Sequence, residues 1–510
     1  MFDSSSPRLT RRSFLRHAGA LGALSTFLPG RILADPYHPW QAPLILRRPV
    51  RVRGAVRAGG RGVAGVAVSD GLRVVDTDRD GRFDFVSDSG RSHVFMSVPS
   101  GYRIPVNPTG TARFYRPMAP GPRDEMTATF DLERLAGSDE NHATIVLADI
   151  QTRDEAEMAL FHGQTVPDLE ETIRGLGDTE ILAIACGDIV NDELSLFPRY
   201  EQAVQRLGIP AFQVVGNHDL DFDGPTDDSS TRTFRDHFGP PYYSFNRGRV
   251  HYVVLDDVFW HSAGYVGYLD QDQLDWLEAD LARVEPGMPV VISLHIPVEG
   301  TRNIRQGAAR PTLGGSVANR DFLYRMVERF PTHFLSGHTH DQEHVFEQGT
   351  HGHICGTVCG AWWNGPIAGD GTPNGYAVYE ARGEEIRWRY KSTGHTADHQ
   401  LRTYARGSVP EAPDEVAANV WNWDPSWVVE LHDGSDRRGA MAGRVAVDPL
   451  AMEFYGGPDI PAGRGWVDPY PTRHMFFAPV PEGAGELTVR VVDRFGRSYS
   501  APVLAAGVDR

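Results

Sequence analysis

From residue 144 to about residue 394, short apolar runs alternate with segments whose apolar positions recur at helical spacing. The runs at residues 181–185, 212–215, 252–255, 290–294 and 333–335 are largely apolar, the pattern of strands buried on both faces. Residues 168–175, 196–207, 269–284 and 319–330 predict helices. In the third, Leu274, Leu277 and Leu281 share one face; Asn319 is placed to cap the fourth. This alternation predicts an α/β fold of layered helices and sheets over residues 142–395. Before it, residues 50–105 show short alternations punctuated by glycine, beginning with Val50, Val52, Gly54 and Val56. They predict an N-terminal β-sandwich over residues 50–114, entered by a Pro- and aromatic-rich linker at 35–49 and left by a polar connector at 115–141. Beyond residue 402 helical spacing disappears, and residues 420–430, 475–478 and 487–492 predict strands of a C-terminal β domain, 402–510.

Composition refines this picture. A chain of 510 residues is too long for one core, consistent with three folded parts. Its formal charge of −17 argues against a basic nucleic-acid-binding face. Arg11 and Arg12 stand ahead of Phe14 and Leu15, and residues 18–30 are uncharged. Residues 1–34 therefore predict an export signal, too short to anchor the mature chain, that resembles a bacterial twin-arginine leader. The expected destination is periplasmic or secreted. Of three cysteines, Cys186 ends a buried run, while Cys355 and Cys359 fall in a β-like run at 354–361. A disulfide along one strand would be strained, so all three are expected as buried thiols. Asp76-Thr-Asp-Arg-Asp-Gly81 opens like a calcium loop, but Ser87 stands where such a loop needs an acid, and a tight turn is expected. Trp421, Trp423 and Trp427 are expected in a core or a domain interface rather than as a binding platform.

The chemistry sits at or just after the ends of the buried runs. Asp149 and Asp188 are anionic oxygen donors, Gln151 and Asn217 neutral ones, and His295, His338 and His340 imidazoles. Strand ends of a layered α/β fold gather at one edge of a sheet. Seven donors without a thiolate suit two divalent ions of the Mn, Fe, Zn or Mg kind sharing a carboxylate, and paired ions about 3.5–4 Å apart are a standard device for phosphoester cleavage.

Five blocks in this order, around Asp149–Gln151, Gly187-Asp188, Gly216-Asn217-His218-Asp219, His295 and Gly337-His338-Thr339-His340, resemble the calcineurin-like metallophosphoesterase family. The resemblance implies a β-sandwich core flanked by helices. Asp149, Gln151 and His340 would hold the first metal, and Asn217, His295 and His338 the second. Asp188 would bridge the two, and His218 would protonate the leaving group, with Asp219 orienting it. A hydroxide bridging the metals would attack phosphorus. Two divalent ions, less two carboxylates and one hydroxide, leave one positive charge, enough to attract a phosphoester locally. Residues 421–427 and 493–499 resemble accessory segments of an exported bacterial branch of that family. Gln151 departs from the commoner histidine, which predicts a weakly held first metal and favours Mn or Fe over Zn, with Zn or Mg still possible ions; Asn191 replaces a second acid, with Asp192 adjacent.

The expected function is hydrolysis of a small phosphomonoester. A diesterase acting on glycerophosphodiesters, cyclic nucleotides or lipid headgroups is the alternative, and a non-catalytic envelope binder with a degenerate site the second. Trp362 and Trp363 are candidates for substrate contact, competing with a core role. His351 and His353 form another His-x-His, but no glycine directly precedes it and the ordered pattern has no place for it.

Overall fold

Strands buried on both faces need cover on two sides, and two sheets provide it for each other. The computed structural model of the chain describes residues 47–457 and 466–503; the export-signal residues Arg11, Arg12, Phe14, Leu15 and Ala34 lie outside them. A five-stranded sheet runs in the order Ala211–Val214, Glu180–Cys186, Asn141–Leu147, Gly375–Arg382, Glu385–Ser392, with the first three strands parallel. A six-stranded sheet runs Tyr243–Arg247, Val250–Val254, Val290–Ser293, Thr332–Ser336, Thr350–Ile354, Glu343–Glu347, with a parallel middle of four strands.

Alternation within one strand divides its load. Val146, Leu182, Ile184 and Phe212 join one core with Val253, Val291 and Leu335 of the other sheet. Ile145, Leu147, Ala183 and Ala185 join another core with Leu169, Phe197 and Tyr200 of the covering helices. Phe212 stacks on Phe245 across the two sheets at 4.0 Å between ring centres. The helix Phe197–Leu207 ends at Gly208, whose φ of 67° suits a residue without a Cβ. The helix Gln271–Leu281 starts where Asp270 accepts from the Gln273 amide.

Several expectations need correction. Residues 115–141 are not a connector: Tyr115–Pro117 and Glu125–Leu132 are strands of the N-terminal sheets. Glu125–Leu132 lies parallel to Pro49–Ala58, with Met126, Ala128, Phe130 and Leu132 inward and the polar half outward. Asn319 does precede the helix Arg320–Val327, but its side chain bonds the backbone of Leu269 instead of capping. Helices do not vanish after residue 402: Pro449–Tyr455 is helical, capped by Asp448. The strand Thr350–Ile354 stops before Cys355, so Cys355 and Cys359 do not share a strand face; all three thiols are free and buried. Residues 76–81 form a turn in which Asp78 accepts from Asp80 and Arg82 amides. Trp421 and Trp427 are buried, the latter in the C-terminal core. Among the described residues no helix is long and apolar enough to cross a membrane.

Candidate metal centre

The parallel strands of both sheets deliver their following residues to one edge. Asn141–Leu147 leads to Asp149 and Gln151, Glu180–Cys186 to Asp188, and Ala211–Val214 to Asn217 and His218. From the second sheet, Val290–Ser293 leads to His295 and Thr332–Ser336 to His338 and His340. The backbone there is unusual. Asp149, Gln151, Asp188, His338 and His340 all have φ between 46° and 70°. Residues other than glycine avoid that region, each at a cost of about 1–3 kcal/mol, and such residues cluster where function holds them.

Close approach explains the glycines. A Cβ on Gly216 would lie 1.9 Å from the Asp188 nitrogen, and one on Gly337 2.2 Å from an Asp149 carboxylate oxygen. Glycine at these places lets the strand-end loops converge.

The side chains meet in two groups. His295 Nε2 lies 3.1 Å from Asn217 Oδ1, 3.3 Å from Asp188 Oδ2 and 3.2 Å from His338 Nδ1. His340 Nε2 lies 3.4 Å from Asp149 Oδ1, and Gln151 joins the groups by donating from Nε2 to Asp188 Oδ2 at 3.1 Å. Each imidazole uses its other nitrogen on a backbone carbonyl: His295 on Cys186, His338 on Gly314 and His340 on Gly360. That leaves three nitrogens turned inward, those of His295 and His340 toward carboxylate or amide oxygens and that of His338 toward His295, with the outer support found on metal-bound histidines. The donor set fits divalent ions. For Gln151 to serve, its amide must turn so that Oε1, which now accepts from the Cys359 thiol, faces inward.

The electrostatics agree. Burial opposes charge on His295, but the Asp188 and Asp149 carboxylates outweigh it and lift the imidazole to about 10. His340 is also raised, against burial, by the Cys359 sulfur and Asp149. His338, buried and beside protonated His295, falls to about 3. Asp188 drops well below the usual carboxylate range: burial works the other way, but His295 and His218 prevail.

The structure corrects the account of His218. Asp219 does not touch its ring; its carboxylate accepts from the Gly216, Ile189 and Val190 amides and ties two loops together. Burial and the Asp188 charge push Asp219 up to about 7. Asp192 holds His218 instead, Oδ1 to Nδ1 at 2.6 Å, while the His218 amide donates to Asp188 Oδ1 at 2.9 Å. Burial alone would lower the His218 pKa, but Asp188 and Asp192 raise it.

The tryptophans divide. Trp363 donates its indole N–H to the Ile150 carbonyl, between Asp149 and Gln151, and packs against the helix-side core, so it supports the loop rather than facing substrate. Trp362 stacks on His340 at 4.0 Å between ring centres and meets Trp466 at 4.3 Å. Tyr376 is buried away from the centre and donates its hydroxyl to Asp168. The C-terminal part reaches the centre: Tyr470 donates its hydroxyl to the His340 carbonyl.

A cavity of about 330 Å³ opens beside His338, lined by Tyr265, Arg302, Asn303, Gln306 and Thr312. Neither Tyr265 nor Arg302 carried a sequence signal. Tyr265 comes from the hairpin of Val258–Trp260 and Tyr265–Gly267 and sets its ring edge-on to His338; Arg302 donates to the Thr339 carbonyl. A larger cavity of about 730 Å³, between Arg103 and Arg247, contains none of the seven donors. Asp257, also unforeseen, accepts the His295 and Ile296 amides.

The family models that match the chain all describe calcineurin-like phosphoesterases. Residues 143–342 match the family described as calcineurin-like phosphoesterase. Residues 50–135 and 352–499 match the N-terminal and C-terminal families that accompany it. A mouse protein named serine/threonine-protein phosphatase CPPED1 is 31% identical over 138 residues, covering 25% of this chain and 44% of its own length. The chain thus spans less than half of that relative. Among solved structures, a dimetal phosphatase from Danio rerio is 14% identical, with a TM-score of 0.33 over 49% of this chain and 96% of its own. A purple acid phosphatase from yellow lupin is 13% identical, with a TM-score of 0.35 over 68% and 67% of the two chains.

Metal uptake should be visible as proton release. With their pKa values raised, His295 and His340 are protonated at pH 7 in the metal-free chain, and an ion must displace those protons. Calorimetric titration of chelator-treated protein with Mn²⁺, in buffers of different ionisation enthalpy, should show roughly two protons released and tighter binding as pH rises from 6 to 9. The same shift stabilises the metal-free fold fully below about pH 6.5, a contribution lost as pH climbs through about 10. Uptake without proton release would contradict this arrangement.

Proposed function

The chain belongs to the calcineurin-like phosphoesterase family, and on that premise we propose that it is an exported phosphatase hydrolysing small phosphomonoesters at a two-metal centre. Asp149, Gln151 and His340 would hold one ion, Asn217, His295 and His338 the other, and Asp188 both. When bound, the pair supplies Lewis-acid polarisation of the phosphoester and makes water acidic enough to attack it near neutral pH. The amide of Gln151 makes the first set oxygen-rich, which suits Mn or Fe better than Zn.

The chain's own groups complete the reaction. Asp192 engages His218 Nδ1 and, with Asp188, raises the pKa of the ring against burial, which favours the form that carries a proton at Nε2 as well. His218 hands that proton to the departing oxygen, then regains one from solvent, since its side chain is 30% exposed. The His218 amide bonded to Asp188 fixes the acid relative to the shared carboxylate. Arg302 and the polar wall of the adjoining cavity offer a site for a doubly charged phosphoryl group. The observation that carries the reading is convergence: seven buried or half-buried donors and one carboxylate-backed imidazole meet at a single edge. The small cationic cavity supports a monoester over a bulkier diester.

An aryl phosphate and its diester, assayed with Mn²⁺ or Fe²⁺, decide the substrate class. The monoester should be turned over at least about tenfold faster, with losses of roughly 10²–10⁴ in Asp188→Ala and His218→Ala. Faster diester turnover would make the enzyme a diesterase, and no turnover with any divalent ion would favour a binding role. Export is tested separately. Arg11→Lys with Arg12→Lys should leave the folded protein in the cytoplasm, and undiminished export would overturn the twin-arginine route.

A further inference from the structure

The histidines that fall outside the ordered pattern form a second cluster. Three adjacent strands place His333 opposite His351 and His344 opposite His353 in register. All four rings gather on one face near the edge of the six-stranded sheet. His333 Nδ1 lies 2.9 Å from His353 Nε2, and His344 Nδ1 lies 3.0 Å from His351 Nε2. The His351 and His353 rings sit 3.9 Å apart, and one ligand nitrogen from each of His333, His351 and His353 lies within 4.8 Å of the others. Trp388 closes the face, 4.7 Å from the His353 ring.

Proton positions can be traced through the neighbouring amides. The Gly356 amide donates to Gln342 Oε1, so Gln342 turns its Nε2 to Asn422 Oδ1. That oxygen also accepts from His344 Nε2 at 3.1 Å, so His344 keeps its proton there and presents a bare Nδ1 to the cluster. His353 is 1% exposed, and its Nδ1 has no hydrogen-bond partner among the described residues. Burial and the Arg494 charge hold His333 and His344 at about 4, and burial with the neighbouring imidazoles holds His351 and His353 lower still. The rings are therefore neutral at pH 7, with lone pairs to offer.

We propose that His333, His351 and His353 form a separate all-imidazole site for a borderline divalent cation of the zinc class, with His344 beside it on His351. Metal–nitrogen bonds of 2.0–2.1 Å in a tetrahedron put ligand nitrogens about 3.3 Å apart; the three nitrogens lie within 4.8 Å of one another, and those of His333 and His353 are 2.9 Å apart, which leaves a fourth position for water. A set without carboxylate selects zinc, copper or nickel over magnesium, manganese or calcium, the reverse of the oxygen-rich first set of the catalytic centre. An ion here would join three strands beside the C-terminal segment, where Arg494 lies 5.0 Å from the Trp388 ring and pairs with buried Asp424. Because Asp424 is already paired with Arg494, it does not cancel the ion's charge, and the site should be of moderate affinity and structural in role.

The test removes the catalytic carboxylates first. Full-length Asp149→Ala/Asp188→Ala protein, dialysed against Zn²⁺ and analysed for metal, should retain one equivalent. Its thermal midpoint should rise with zinc. X-ray absorption should show imidazole nitrogens with at most one water oxygen. Adding His351→Gln and His353→Gln should abolish both the retained equivalent and the thermal shift, while the same two changes in the parent leave phosphoesterase activity intact. No zinc retained, retention unaffected by the histidine changes, or a shell with more than one oxygen would overturn the proposal. Should the histidine variant fail to fold, the absorption spectrum of the parent variant decides by the same criterion.

Discussion

Asp149 and Asp188 lie buried at the ends of neighbouring parallel strands, and two carboxylates in such a place must be matched by positive charge. In the metal-free chain that charge is borne by His295 and His340, whose inward nitrogens face them. Their elevated pKa values measure how strongly the pocket calls for a cation. Divalent ions answer the same demand with greater charge. The carbonyls of Cys186, Gly314 and Gly360, each bonded to the outer nitrogen of an imidazole, hold the inner ones in place for either occupant.

Convergence on this scale costs backbone strain. Left-handed φ values at five donors, and at Asp192, Trp362 and Trp363, account for most of the non-glycine residues with such values in the described chain. They persist because the surroundings over-determine them. Asp219 binds three loop amides, the Trp363 indole holds Ile150, and Tyr470 of the C-terminal part grips the His340 carbonyl. The C-terminal β region thus bears on the centre itself.

Much of this could be read from the residues. Parallel strands buried on both faces leave continuous apolar runs, and the donors stand just beyond those runs, so the seven could be named without coordinates. What escaped has a physical reason in each case. Glu125–Leu132 hides as polar chain because half its side chains face solvent, and its partner strand lies some seventy residues earlier. The helix Pro449–Tyr455 is too short to show a period. Asp219, the neighbour of His218 in sequence, turns away from its ring, whereas Asp192 arrives from another strand end on a left-handed turn. Tyr265 and Arg302 reach the adjoining cavity only through tertiary folding. The four clustered histidines show their relation only once three strands are placed side by side.

The central claim is that these donors hold two ions sharing Asp188. Electron paramagnetic resonance of the chain loaded with two equivalents of Mn²⁺ tests it most directly. The account predicts the spectrum of a spin-coupled pair, replaced by that of a single isolated ion in Asp188→Ala. A spectrum of isolated Mn²⁺ in the unaltered protein, unchanged by that substitution, would contradict it.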